Sequence, residues 1–134
     1  MNADLALICC ACLLPIEGDT GFLAAAYPDI AKAKREHAEW EASHGDGAIS
    51  LEDFILPPED IHWRAYHDRC NPDPDGSAYQ IGSAELSTWR GLTRWTAHLM
   101  AKNWFALSDW DDLLREAAGE SPATRIMVLG QVAA

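Results

Sequence analysis

Two short pairs of metal-ligand residues constrain this sequence more than any other feature. Cys9 and Cys12 are separated by two residues, and so are His67 and Cys70. That gap lets a tight turn aim both donor atoms at one ion. Two such pairs supply the four thiolate or imidazole ligands of a closed tetrahedral site, with no position left for water. All four cysteines fall in or beside these pairs, and Cys10, the extra one, is expected to point away from Cys9. His62 is the reserve ligand should His67 serve elsewhere. The competing explanation makes the cysteines small core residues and His67 a packing residue, since free cysteine is commonly buried. The 54 residues between Cys12 and His67 exceed compact finger spacing, but no thiol is scattered. The expectation is one structural Zn²⁺ held by Cys9, Cys12, His67 and Cys70.

The rest of the composition fits a small folded protein. With 134 residues the chain is expected to form one domain over 1–134, since domains run to roughly 100–200 residues. At 49% hydrophobic and 23% charged residues it can bury one core. The formal charge of −11 opposes direct nucleic-acid binding and attachment to anionic membranes. Fifteen of the 21 acidic residues lie in the first 80 positions, an excess read chiefly as solubility. No run approaches the roughly 18–20 apolar residues of a membrane span. The N-terminus lacks the basic region of a secretory signal. Four cysteines without an export signal suit a reducing compartment, so a cytoplasmic location is expected.

Along the chain, residues 5–8 read as a short buried strand entering the cysteines. Residues 15–21 are rich in turn formers, and 22–26 read as a returning strand. Pro28 suits the first turn of a helix over 28–44, on which Ile30, Ala33, His37 and Trp40 share a stripe and Gly45-Asp46-Gly47 marks the stop. Residues 48–54 are ambiguous, and Pro57-Pro58 breaks any regular element. Residues 61–67 alternate like a strand running into a turn or helix start, and 71–76 are a loop. Residues 83–104 give the strongest helical pattern, with Leu86, Trp89, Leu92, Leu99 and Met100 on the core face. Ser108 reads as the cap of a further helix closing at Gly119. The expected fold class is α+β, a zinc-stapled β-hairpin region followed by a helical hairpin over 83–119.

The front of the chain resembles a treble-clef-type zinc-binding domain over residues 5–72. Cys9 and Cys12 with Leu13-Leu14-Pro15-Ile16-Glu17-Gly18-Asp19 look like its knuckle and hairpin. Residues 63–70, an aromatic strand before the HxxC pair, look like its second half. The helical insertion at 28–44 departs from the minimal pattern. The stretch from Trp89 to Trp110 is also similar to uncharacterised small proteins of actinobacteria and their phages, which implies no activity.

Catalytic patterns are missing: no HExxH, no GxSxG, no glycine-rich phosphate loop, no HxE…CxxC. His37 and His44 with Glu41 could form a second metal site, but packing and a helix-end role explain them better. Arg94, Trp95, His98 and Lys102 make a candidate partner-binding face, because Trp and Arg dominate interface hot spots. The alternative is that another element simply covers Trp95. The leading expectation is a non-enzymatic zinc-binding protein that engages a protein partner, as a phage or bacterial regulator of host machinery would. An acidic inhibitor imitating nucleic acid ranks second and a metal-dependent enzyme third.

Overall fold

The computed structural model describes residues 3–44 and 59–130. The expected helix stop at 45–47, the ambiguous stretch 48–54 and the Pro57-Pro58 break lie outside the described residues. Among the described residues, six strands form two antiparallel three-stranded sheets. The first has the order β2-β1-β6, from β1 (Leu5–Ile8), β2 (Pro15–Ile16) and β6 (Ile126–Val128). The second has the order β4-β3-β5, from β3 (Gly21–Ala26), β4 (Arg64–His67) and β5 (Ala78–Gly82). Helix α1 (Tyr27–His44) follows β3 directly, while α2 (Trp89–Leu99) and α3 (Trp110–Ala118) lie between β5 and β6. The α+β class is the expected one.

Alternation sets the strands. Ile61, Trp63, Ala65 and His67 are buried, and the residues between them face outward. That period of two gives a half-buried strand. In β1 and β3 the buried residues are nearly continuous, because both are central strands with neighbours on each edge. One buried cluster draws on both sheets and on α1, α2 and α3: Leu5, Leu7, Leu23 and Ile81 meet Ile30, Leu92, Leu99, Trp110 and Leu113. Trp63 is its aromatic centre. Its ring lies 5.1 Å from Trp110, 5.7 Å from Trp104 and 6.2 Å from Tyr79. Each such pair contributes about 0.5–1.5 kcal/mol beyond area burial.

The long helix expected over 83–104 is broken. A 3-10 turn covers Ser83–Leu86, Thr88 is extended, and α2 starts only at Trp89. Two hydroxyls cause the break. Ser87 Oγ donates to the Ala84 carbonyl at 2.8 Å, and Thr88 Oγ1 accepts from Gly91 N at 3.0 Å, capping α2. Gly91 permits the bend, since a Cβ there would lie 2.1 Å from the Glu85 carbonyl oxygen. The break also re-phases the core face. Leu86, Leu92 and Leu99 are buried as expected, but Trp89 is 44% exposed at the helix start and Met100 67% exposed at its end.

Ser108 does not cap α3. Its Oγ donates to the Phe105 carbonyl at 2.8 Å, and Asp109 takes the cap position without a side-chain cap bond. The Asp109 carboxylate is engaged elsewhere. It accepts from Trp63 N at 3.0 Å and from Arg125 Nη1 at 2.8 Å. Arg125 also reaches Glu116, Nη2 to Oε2 at 2.7 Å. This network joins α3, the approach to β6 and the start of β4. Gly119 ends α3 in the left-handed conformation, φ 81°, where glycine carries no Cβ penalty.

Candidate metal centre

The two ligand pairs come from different sheets, and backbone bonds bring them together. Strands β1 and β2 pair antiparallel and close a loop over residues 9–14. Within it Leu13 N donates to the Cys9 carbonyl at 2.9 Å and Cys9 N to the Leu14 carbonyl at 3.0 Å. Leu13 turns the chain with φ 64°, a left-handed value uncommon for leucine. Cys10 N then donates to the Ala65 carbonyl at 2.7 Å, which fastens this knuckle to β4. At the end of β4, His67 is paired with Gly21 of β3, and a 3-10 turn over Asp68–Cys70 follows. In a 3-10 turn the residues i and i+3 eclipse one another, so Cys70 comes back over His67.

The result is a cluster of four donor atoms. The ligand atoms of Cys9, Cys12, His67 and Cys70 all lie within 4.8 Å of one another. His67 Nδ1 is 3.4 Å from Cys12 Sγ and 4.0 Å from Cys70 Sγ. The other imidazole nitrogen, Nε2, lies 3.1 Å from the Pro15 carbonyl. A carbonyl only accepts, so Nε2 carries the proton and Nδ1 keeps its lone pair toward the sulfurs. That bond fixes both tautomer and ring orientation, as outer partners of metal-bound histidines do.

The electrostatics point the same way. Burial opposes ionisation of Cys9, but the backbone N–H groups of Cys12, His67 and Ala11 outweigh it, bringing the thiol down from 9.0 to about 6. Burial pushes the Cys70 thiol up, and the neighbouring Cys9 and Cys12 sulfurs push it further. Cys9 therefore gives up its proton readily, and Cys70 resists adding a second charge beside it. A cation among the sulfurs removes that repulsion. Thiolate and imidazole donors suit zinc and other thiophilic ions, and suit calcium and magnesium poorly. These four residues could therefore hold a metal ion.

The other expected residues take different places. Cys10 stands outside the cluster, with its Sγ accepting from Ala65 N at 3.4 Å. His62, the reserve ligand, instead places Nδ1 3.0 Å from Asp109 Oδ2. His37 is half-buried on α1, and the His44 side chain lies outside the described residues. Arg94 and His98 are exposed on α2, while Trp95 is half-buried against the core. Its Nε1 donates to Glu85 Oε2 at 3.2 Å, and its ring meets His98 edge-on at 5.2 Å. Lys102 lies beyond the end of α2, with Nζ 5.5 Å from the centre of the Tyr79 ring.

Sequence reasoning missed the neighbouring polar network of Asp109, Glu116 and Arg125. Burial raises the tendency of Glu116 to stay neutral, but Arg125 and Thr124 donate to it and hold its carboxyl below the ordinary value. The spacing of Asp109 and Glu116, seven apart on one helical face, was the available signal. Arg125 gave none, because β6 was not foreseen. The treble-clef likeness places the second ligand pair at a helix start, whereas here it lies on a strand end and a 3-10 turn. No protein-family model matches the chain, and no curated protein or solved structure matches it either.

Proposed function

We propose that this chain is a zinc-stapled binding protein of the treble-clef type, without catalytic turnover, that engages a protein partner. The observation that carries the reading is the four-atom donor cluster, with His67 Nδ1 turned to the sulfurs by the Nε2–Pro15 bond. Zinc bond lengths of about 2.3 Å to sulfur and 2.0–2.1 Å to nitrogen give tetrahedral edges of about 3.5–3.8 Å. The described donor atoms, all within 4.8 Å, need only a small contraction to reach them. Four protein ligands saturate such an ion, so it would neither activate water nor polarise a carbonyl. Its work would be structural, tying the β1–β2 knuckle to the end of β4.

The case for binding as the activity rests on surface residues. Leu13 and Leu14 are 73% and 55% exposed at the tip of the knuckle that the ion would stiffen. Arg94 adds an exposed cation on α2, with exposed His98 one turn on, in a chain of charge −11. Metal analysis of the purified protein tests the central claim. One zinc per chain is expected, lost in Cys12→Ser and Cys70→Ser and retained in Cys10→Ser. Substoichiometric metal in the wild type, or full retention in Cys12→Ser, would overturn it.

A further inference from the structure

The outer face of the β4-β3-β5 sheet is built unlike a solvated sheet surface. Register places Arg64 of β4 beside Ala24 of β3, and Ala24 beside Gln80 of β5. One step along, Tyr66 lies beside Phe22; one step the other way, Ala26 lies beside Ala78. Neighbouring strands are about 4.8 Å apart, so the Arg64 and Gln80 backbones stand about 10 Å apart with only a methyl group between them. A cavity of about 160 Å³ opens over this alanine floor, bounded by the loop at 71–77. Phe22 and Tyr66 close one end, their rings 6.1 Å apart and tilted by 48°.

Among the polar groups that line it, which also include His62, Asn71 and Ser77, two sets face a ligand's charges. Arg64 and Gln80 present donors from opposite sides of the floor. Asp29, in the first turn of α1, and Asp73 supply carboxylates at the rim. Among the described residues neither Arg64 nor these two acids belongs to an ion pair. A concave, mostly apolar pocket with a few convergent polar groups is the usual form of a small-ligand site. Its size is about that of an engineered cavity of roughly 150 Å³ that takes up benzene.

We propose that this cavity binds a free α-amino acid with an apolar side chain. Its carboxylate would meet the planar fork of Arg64, which suits a carboxylate bidentately, and the Gln80 amide. Its side chain would lie over Ala24, against the Phe22 and Tyr66 pair that closes that end. The ammonium would face Asp29 and Asp73, which also repel a phosphate dianion. This site is separate from the metal cluster and does not depend on the reading of that cluster.

Isothermal titration of the full chain with phenylalanine, leucine, 3-phenylpropionate and 2-phenylethylamine tests the assignment. The two amino acids are expected to bind saturably at one site. Removing the ammonium or the carboxylate should weaken binding at least about tenfold, the loss of one charged hydrogen bond. Arg64→Gln should weaken the amino acids by the same factor with unchanged thermal unfolding, whereas Arg69→Gln, outside the cavity, should not. Absence of saturable binding, equal binding of 2-phenylethylamine and phenylalanine, or undiminished binding by Arg64→Gln would overturn the proposal.

Discussion

Replacing Arg125 with methionine strands two buried carboxylates. The guanidinium lies 2.7 Å from Glu116 and 2.8 Å from Asp109, with side-chain exposures of 12%, 5% and 9% for Arg125, Glu116 and Asp109. Neither acid loses every donor. Glu116 keeps Thr124 N, Thr124 Oγ1 and Arg125 N, and Asp109 keeps Trp63 N and His62. Removing one partner of a buried pair costs about 3–5 kcal/mol, and the remaining donors hold the total for both acids within that range. For a chain of this length the midpoint should fall by about 10–20 °C, as measured by circular dichroism, with urea unfolding giving the free energy. Adding Glu116→Gln to Arg125→Met should recover part of the loss, because the stranded charge disappears. The pH dependence carries a definite sign. Glu116 is held below its ordinary value of 4.5, so its ionised form stabilises the fold above that pH. That contribution fades as pH falls through the lower folded value. Arg125→Met should flatten this acid-side loss. An unfolding free energy within 1 kcal/mol of wild type would refute the reasoning, a margin set by exposed ion pairs of about 0–1 kcal/mol.

Leu99 is fully buried and Met100 is 67% exposed, so adjacent positions should respond oppositely. Leu99→Ala is expected to cost about 2–5 kcal/mol in urea unfolding, and Met100→Ala less than about 0.5 kcal/mol. Gly91→Ala should be destabilising although alanine favours helices, because its Cβ would meet the Glu85 carbonyl at 2.1 Å. An unchanged midpoint would show that the 3-10 turn before α2 shifts freely. With the proposed ion in the cluster, a chelator should speed amide hydrogen exchange over residues 9–16 and 67–71 first, leaving α3 and β6 protected by the Arg125 network. Uniform acceleration, or none, would count against a structural ion that ties those two segments.

The parts of the fold legible in the sequence are those whose signals are local. Pro28 and the Ile30, Ala33, His37 and Trp40 stripe predict a helix over 28–44, and α1 spans Tyr27–His44. The four cluster residues were legible because the spacing of each pair is itself the chemistry. Strands β5 and β6 were not. Ala78–Gly82 carries one fully buried residue, and Ile126–Val128 is three residues long. Both exist because central strands β3 and β1 offer edges to pair with, which is tertiary information. The unbroken helix expected over 83–104 failed for a related reason. Its apolar spacing runs smoothly through Ser87 and Thr88, but the two hydroxyls compete for the backbone, and the period does not record that.

The two polar devices act on the same joint from opposite ends. The candidate metal-donor cluster takes Cys9 and Cys12 from the loop between β1 and β2, and His67 and Cys70 from the end of β4 and the turn after it. The Arg125 network takes its cation from the residue before β6 and reaches the carbonyl of Trp63, just before β4, at 3.3 Å. One sheet thus meets β4 at its C-terminal end through the Cys9 and Cys12 sulfurs and at its N-terminal end through a guanidinium. Between them Cys10 N and Ala65 O make a direct backbone bond at 2.7 Å. Apolar packing of Leu5, Leu7, Leu23 and Trp63 is non-directional and would tolerate the two sheets sliding on one another. Directional groups at both ends of β4 fix that register. They also hold the outward row of His62, Arg64 and Tyr66 over the alanine floor, so the same strand that closes the four-donor cluster on one side shapes the cavity on the other.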